Sequence, residues 1–294
     1  MISFFREVTI IKYLTKEWYE KCQLTGLHYG LRVHPGADTE NIYDRLYKRK
    51  ERAFIKQERE IYNLSPRGFL EGNLIPLEQI INVEVLSNAK TVVIQRTEEE
   101  QRHFTSLIEQ YESRPPFDVE HCKQVFRERI EWQLLYMKHQ LPTEIVRRIS
   151  DMRILALGYC TSEIYANIKK FSIENYKHTK QRIEELDKVR RLQAIPESIS
   201  ENFNFHDCKV LHLEQRENKN YVIQLDPTGG FTAYNMVTFV NANVIREETN
   251  IAGASWVYDE IYSTSKGYEV HILFHGGSLS ELIVQCEDIL LEII

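Results

Sequence analysis

The chain has no charge-free run apolar enough to cross a bilayer. Its longest, residues 227–245, is 19 positions and holds Gly229, Gly230, Asn235, Asn241, Asn243 and three threonines. Such a run cannot sit in hydrocarbon, so no membrane-spanning helix is expected. The opening Met1-Ile2-Ser3-Phe4-Phe5 is cut short by Arg6 and Glu7, which leaves no apolar core for a secretory signal and predicts a cytoplasmic protein. Its five cysteines, Cys22, Cys122, Cys160, Cys208 and Cys286, are odd in number and contain no Cys-x-x-Cys pair. A disulfide framework and a cysteine-rich zinc site are thereby excluded, and all five are expected as small reduced core residues. No Gly-x-Ser-x-Gly elbow is present. The glycines of Asp226-Pro227-Thr228-Gly229-Gly230 and His275-Gly276-Gly277-Ser278 lack the strand-turn-helix setting of a phosphate or dinucleotide loop and read as hairpin turns.

What is present is a folded composition with an uneven charge. Among 294 residues 43% are hydrophobic and 27% charged, with only 12 Gly and 8 Pro, which excludes disordered and fibrous classes. Residues 1–196 carry 32 Lys and Arg against 28 Asp and Glu, whereas residues 197–294 carry 5 against 15, a local balance of −10 inside a total of −6. A strongly acidic C-terminal part implies basic partners, on its own chain or another.

Periodicity changes at the same place. Thr15 can cap a first helix carrying Trp18, Tyr19 and Cys22 that ends at Gly26 and Gly30. Asp38 is expected to cap a long second helix with the inward stripe Ile42, Tyr43, Leu46, Tyr47, Ala53, Phe54, Ile61 and Tyr62. Residues 63–75 read as a loop, and residues 80–95 as a small hairpin or, through 77–86, a helix. Thr97 and Glu100 form a capping box before Phe104, Leu107, Ile108 and Tyr111. Asp118 caps a further helix that Pro142 stops. Another runs from Thr143 to Gly158, and a last helical stretch from about Ser162 to Gln193 breaks near Ser172. Beyond Pro196 the segments become short, β-branched and aromatic, separated by turn signals. The fold class expected is α+β: a mainly helical domain over residues 1–196, then an acidic antiparallel β domain of five to six strands over residues 197–294.

Candidate chemistry concentrates in the β domain. Phe205-His206-Asp207-Cys208 shares only its His-Asp dipeptide with the metal-dependent His-Asp phosphohydrolases. His206 and His212, and His271 and His275, have even spacings that place each pair on one strand face. His206, His271 and His275, with Cys208, are ligand types for zinc if their strands are neighbours. Asp259 and Glu260 are adjacent and point to opposite faces, a poor acid and base pair. Trp256, Tyr258 and Tyr262 share a face beside these carboxylates, as in a protein-binding surface or a sheet core. In the helical part, Arg45, Lys48, Arg49, Lys50, Arg52, Lys56 and Arg59 form a basic run, the electrostatic footprint of nucleic acid or the solvated side of a helix.

Lys12-Tyr13-Leu14-Thr15-Lys16-Glu17-Trp18-Tyr19, the stretch from Leu141-Pro142 through Asp151-Met152-Arg153-Ile154-Leu155-Ala156-Leu157-Gly158, and Phe205-His206-Asp207-Cys208 with Trp256 to Tyr262 together resemble an uncharacterised family of low-GC Gram-positive bacteria, a domain of unknown function. The resemblance spans the chain from Lys12 onward and implies no activity. It implies that residues 1–11 are an upstream extension, so Phe4 and Phe5 are expected to pack poorly. The C-terminal part is similar to small β domains among immunity proteins of polymorphic toxin systems.

The function expected is a non-enzymatic, immunity-like binding protein that engages a basic protein partner through Trp256, Tyr258, Asp259, Glu260, Tyr262, His206 and Asp207, with no catalytic residue and no cofactor. A second reading is a metal-assisted hydrolase using His206, Asp207 and His271 or His275. A third is a nucleic-acid-associated regulator using the helix at 45–59, which the acidic whole-chain balance disfavours.

Overall fold

The computed structural model describes residues 12–39, 41–67, 74–76, 91–93 and 97–294. The expectations placed on residues 1–11 and 77–90, Phe4 and Phe5 included, lie outside the described residues. The chain is α+β and clusters into two compact units, Leu31–Tyr165 and the pair Met1–Gly30 with Ala166–Ile294.

In the first of these units α2 (Tyr43–Asn63), α4 (Val119–Gln140) and α6 (Met152–Ala156) pack Leu46, Phe126 and Ile154 into one core. The second helix starts at Tyr43, not after Asp38, because Asn41 takes a left-handed backbone (φ 71°) that a helix cannot include. α3 (Glu98–Ser113) precedes α4, which Asp118 caps by accepting from the His121 N–H at 2.9 Å. The single helix expected from Thr143 to Gly158 is two short ones, α5 (Thr143–Val146) and α6. Asp151 recaps the chain, accepting from the Arg153 N–H at 2.9 Å. Strand β1 (Arg32–Val33) pairs in parallel with β4 (Tyr159–Cys160), and β2 (Leu74–Pro76) pairs antiparallel with β3 (Thr91–Val93).

The other unit begins with α1 (Lys16–Gln23), capped by Thr15, whose hydroxyl accepts from the Trp18 N–H at 3.1 Å. α7 (Ser162–Arg190) runs unbroken past Ser172, whose side chain is fully buried. A short α8 (Glu197–Ser200) leads into eight strands: β5 (Lys209–Gln215), β6 (Tyr221–Asp226), β7 (Met236–Val240), β8 (Asn243–Glu247), β9 (Ser255–Thr264), β10 (Gly267–His275), β11 (Leu279–Cys286) and β12 (Asp288–Glu292). They hydrogen-bond in the order β12-β7-β6-β5-β9-β10-β11-β8.

Eight strands thus replace the five or six expected, for two local reasons. Asn241 is left-handed (φ 48°) and splits into β7 and β8 a run that reads as one strand. Asp288-Ile289-Leu290-Leu291-Glu292 carries three apolar residues in succession, a pattern without alternation, yet pairs with β7. Val240 opposes Asp288 and Asn243 opposes Gln285, one register on both sides of the bend. β8 therefore continues β7, and β12 continues β11, so the two ends of the strand row lead back into it. The row closes into a barrel around one cluster that includes Ile223, Phe239, Trp256, Ile272, Phe274 and Val284.

A bulge sets the faces of β9. Trp256 opposes Phe274 while Tyr258 opposes Leu273, leaving Val257 as the extra residue. Trp256 consequently points inward, fully buried against Phe205 and Phe274, and Tyr258, Glu260 and Tyr262 line the outer face. The three aromatics expected on one face are thus divided between the two. Trp256→Ala is expected to cost about 3–5 kcal/mol as a cavity in a packed core. Urea unfolding checks this by a lower midpoint with unchanged slope.

Candidate functional site

The outer face of β9, β10 and β11 carries a concentration of acid. Glu260 is 1% exposed and Glu281 5%, and Glu269 lies close by. Isolated carboxylates at such depth are strongly disfavoured unless they are paired and hydrogen-bonded. The chain supplies the partners from its N-terminal side. Residues 12–16 run over this face as a strap in which the Tyr13 and Leu14 N–H groups both donate to the Glu260 carboxylate, as does the Tyr262 hydroxyl. Lys12 pairs with Glu281, and Lys16 with Glu248. Arg246 adds bonds of 2.6 Å to Glu248 and 3.0 Å to Glu281. Burial pulls the Lys12 ammonium down to about 8, with Glu260 opposing the shift. Burial, then the Glu260 charge, pushes the Tyr262 hydroxyl well above the usual phenol range.

Beyond the strap, α1 and the end of α7 cover the same side. Leu14, Trp18 and Leu186 form a buried cluster with Tyr258 packed against it. The Trp18 indole donates to the Thr179 carbonyl at 3.2 Å, and the Arg190 guanidinium donates to the Asp259 carbonyl at 2.9 Å.

A row of rings follows from this docking. Phe231 lies 6.4 Å from His206, His206 is edge-on to Tyr258 at 5.4 Å, Tyr258 is 6.0 Å from Tyr19, and Tyr19 stacks on His275 at 5.9 Å. Phe231 is 73% exposed. Asp207 sits at the His206 end, its Oδ2 3.1 Å from His206 Nδ1. The loop holding this pair is fixed by its backbone: the Asp207 N–H donates to the Trp256 carbonyl at 2.8 Å, and the Trp256 N–H to the Cys208 carbonyl at 2.9 Å. Asp207 is left-handed (φ 67°), a conformation Asp tolerates better than most residues. The Gly229-Gly230 turn lies directly against the loop, and a Cβ at Gly230 would overlap the Cys208 sulfur. Close approach therefore explains this glycine pair. Burial pushes both the Tyr19 and the Tyr258 hydroxyls up, with the Asp207 charge adding to each.

The residues expected to form a binding face are thus distributed over three places. Trp256 is in the barrel core. Glu260 and Tyr262 lie beneath the strap. Only Tyr258, His206 and Asp207 come together at an accessible rim, joined there by Tyr19, Phe231 and His275. Asp259, on the opposite face of β9 from Glu260, accepts from the Trp256 indole at 2.9 Å. Burial pushes its carboxyl up to about 6, against the Trp256 bond and the Arg190 charge.

The three candidate metal ligands do not form one group. His271 is 6% exposed with its Nε2 2.7 Å from Glu269, while His206 and His275 stand in the ring row with Tyr258 and Tyr19 between them. Among the described residues no three His, Cys, Asp or Glu side chains are placed to hold a metal ion. All five cysteines are free. No helix among the described residues is long and apolar enough to cross a membrane. In the helical unit, Arg45, Arg49, Arg52, Lys56 and Arg59 are exposed at helical spacing, whereas Lys50 lies 5.0 Å over the Tyr159 ring. A cavity of about 470 Å³ is lined there by Asp38, Tyr43, Asp44, Asp151 and Arg153, the last two already paired at 2.7 Å.

Sequence reasoning missed Tyr19, Phe231, Lys12, Lys16, Arg246 and Glu281. The four-residue spacing of Lys12 and Lys16, beside the acidic balance of the C-terminal part, was the available signal for the strap.

A family model described as a protein of unknown function (DUF4085) matches residues 98–284. No curated protein and no solved structure matches the chain significantly.

Asp259 yields a signed prediction. A carboxyl raised from 3.8 to about 6 by folding contributes nothing below the unfolded value. It disfavours the native state progressively as pH rises through that window, and the full effect remains above it. Asp259→Asn, which keeps an acceptor for the Trp256 indole, is expected to be more stable than the parent by on the order of 1–3 kcal/mol near pH 7.5, and by much less near pH 4. Thermal unfolding at the two pH values checks this, and an advantage that does not grow with pH contradicts it.

Proposed function

The chain belongs to the DUF4085 family, whose function is unknown, and from that premise we propose that it is a non-enzymatic binding protein that engages a basic protein partner at the ring row of its acidic barrel. The observation that carries this reading is Phe231, 73% exposed and 6.4 Å from His206, which meets Tyr258 edge-on and has the Asp207 carboxylate beside it. Aromatic faces attract a guanidinium or ammonium through their quadrupoles, and a neighbouring carboxylate adds directional charge. Exposed aromatic side chains are also favoured at the centres of protein interfaces.

Several acids remain exposed on the barrel, among them Glu217, Glu247, Glu287, Asp288 and Glu292. They favour approach of a basic partner through the long-range field and do not select it. An immunity-type partner, a basic toxin domain, fits the same chemistry.

Labelled hexa-arginine and hexa-glutamate peptides test the reading by fluorescence anisotropy at about 50 mM salt. Hexa-arginine is expected to bind and hexa-glutamate not, and Phe231→Ala and Asp207→Asn are each expected to weaken binding about tenfold. Equal affinity of hexa-arginine for the parent and both variants would overturn the assignment of the site.

A further inference from the structure

The strap shows what the acidic face beneath it accepts. Two lysines four positions apart reach Glu281 and Glu248, two consecutive backbone N–H groups between them reach the Glu260 carboxylate, and Leu14, 4% exposed, fills the apolar side. The manner of attachment is unusual for a segment lying on a sheet. Among the described residues, no backbone–backbone hydrogen bond joins residues 12–14 to any strand. Contact with the sheet runs through side-chain carboxylates, reached by two backbone N–H groups and two ammonium groups, with Leu14 buried beside them. Salt screens the more exposed Lys16 pair most, and such an attachment opens locally at lower cost than a strand ladder.

We infer that the outer face of β9, β10 and β11 is a recognition groove for an extended basic segment of another protein with Lys-x-x-x-Lys spacing, and that residues 12–16 occupy it in cis as an internal imitation of that ligand. Arg246 belongs to the groove as its fixed cation. It bridges Glu248 and Glu281 at 2.6 and 3.0 Å, so their charges stay partly compensated when the strap lifts. The groove takes the same partner chemistry as the ring row but stands on different residues. Glu281→Gln tests the groove and Phe231→Ala tests the row, so either reading can fail alone.

The experiment uses the full chain and a labelled peptide of the sequence Lys-Tyr-Leu-Thr-Lys-Glu. A tethered strap competes at millimolar effective concentration, so the parent protein is expected to bind this peptide weakly. Lys12→Ala/Lys16→Ala loosens the strap and is expected to bind it at least about tenfold more tightly, and adding Glu281→Gln is expected to abolish the gain. A peptide in which both lysines are replaced by glutamate is expected not to bind. Amide exchange of the unaltered protein provides a readout that does not depend on how the variants fold. Tyr13 and Leu14 are expected to exchange by local opening, about a hundredfold faster than Val270 and Ile272, and faster still at about 0.5 M salt. Peptide affinity indifferent to the lysine and Glu281 substitutions, or Tyr13 and Leu14 amides that exchange only as fast as those of the barrel core, would overturn the proposal.

Discussion

A carboxylate with almost no access to water sets the terms for this barrel. Glu260 points away from the hydrophobic core yet is 1% exposed, so its charge has to be answered by donors brought from elsewhere in the chain. They come from Tyr13 and Leu14, the former 247 positions earlier, and from Tyr262 on the same strand. Meeting that requirement places the strap. The strap places α1 through the Thr15 cap, and α1 brings Trp18 and Tyr19 onto Tyr258. The ring row and the acidic groove are two consequences of one buried charge.

The acidity of the C-terminal part divides along the same line. Seven of its 15 acidic residues are buried or half-buried, Glu260 and Glu281 most deeply. Part of the −10 balance is therefore structural and answered within the chain by Lys12, Lys16 and Arg246. The remainder is exposed and supplies the field at the surface.

Legibility in the sequence followed the range of the interaction. The caps at Thr15 and Asp118 are contacts over three residues, and both were readable from residue type and spacing. So was the change from helical to strand periodicity near Pro196. The bend at Asn241 was not, because one left-handed residue leaves the apolar pattern of its flanks intact. Nor was the bulge at Val257, which displaces Trp256 from the face of Tyr258 and Tyr262 without altering a single residue type. Among the candidate residues, the proximity of His206, Asp207 and Tyr258 was readable because they lie in a compact motif and an aromatic strand. Phe231 and Tyr19 reach them from a turn and from α1, and no spacing rule connects such distant positions. The helix expected from Thr143 to Gly158 failed through a competing local bond, since Asp151 satisfies a backbone donor better as a second cap than as a helix interior residue.

The shared register of β7–β8 with β11–β12 bears on the order in which this fold can assemble. Because each end of the strand row is the continuation of a strand inside it, closure leaves only short open margins, on β8, on β12 and where β5 meets β9 at the single pair Lys209 with Ser255. Until β12 is in place, β7 carries an unpaired margin. The strap, near the beginning of the sequence, likewise docks only once β9, β11 and the segment after β8 supply Glu260, Glu281 and Glu248. Both closures join positions far apart in the sequence, and non-local pairing of this kind slows folding. Strand margins are therefore longest before closure, so assembly is the stage at which pairing between molecules has the most backbone to work with.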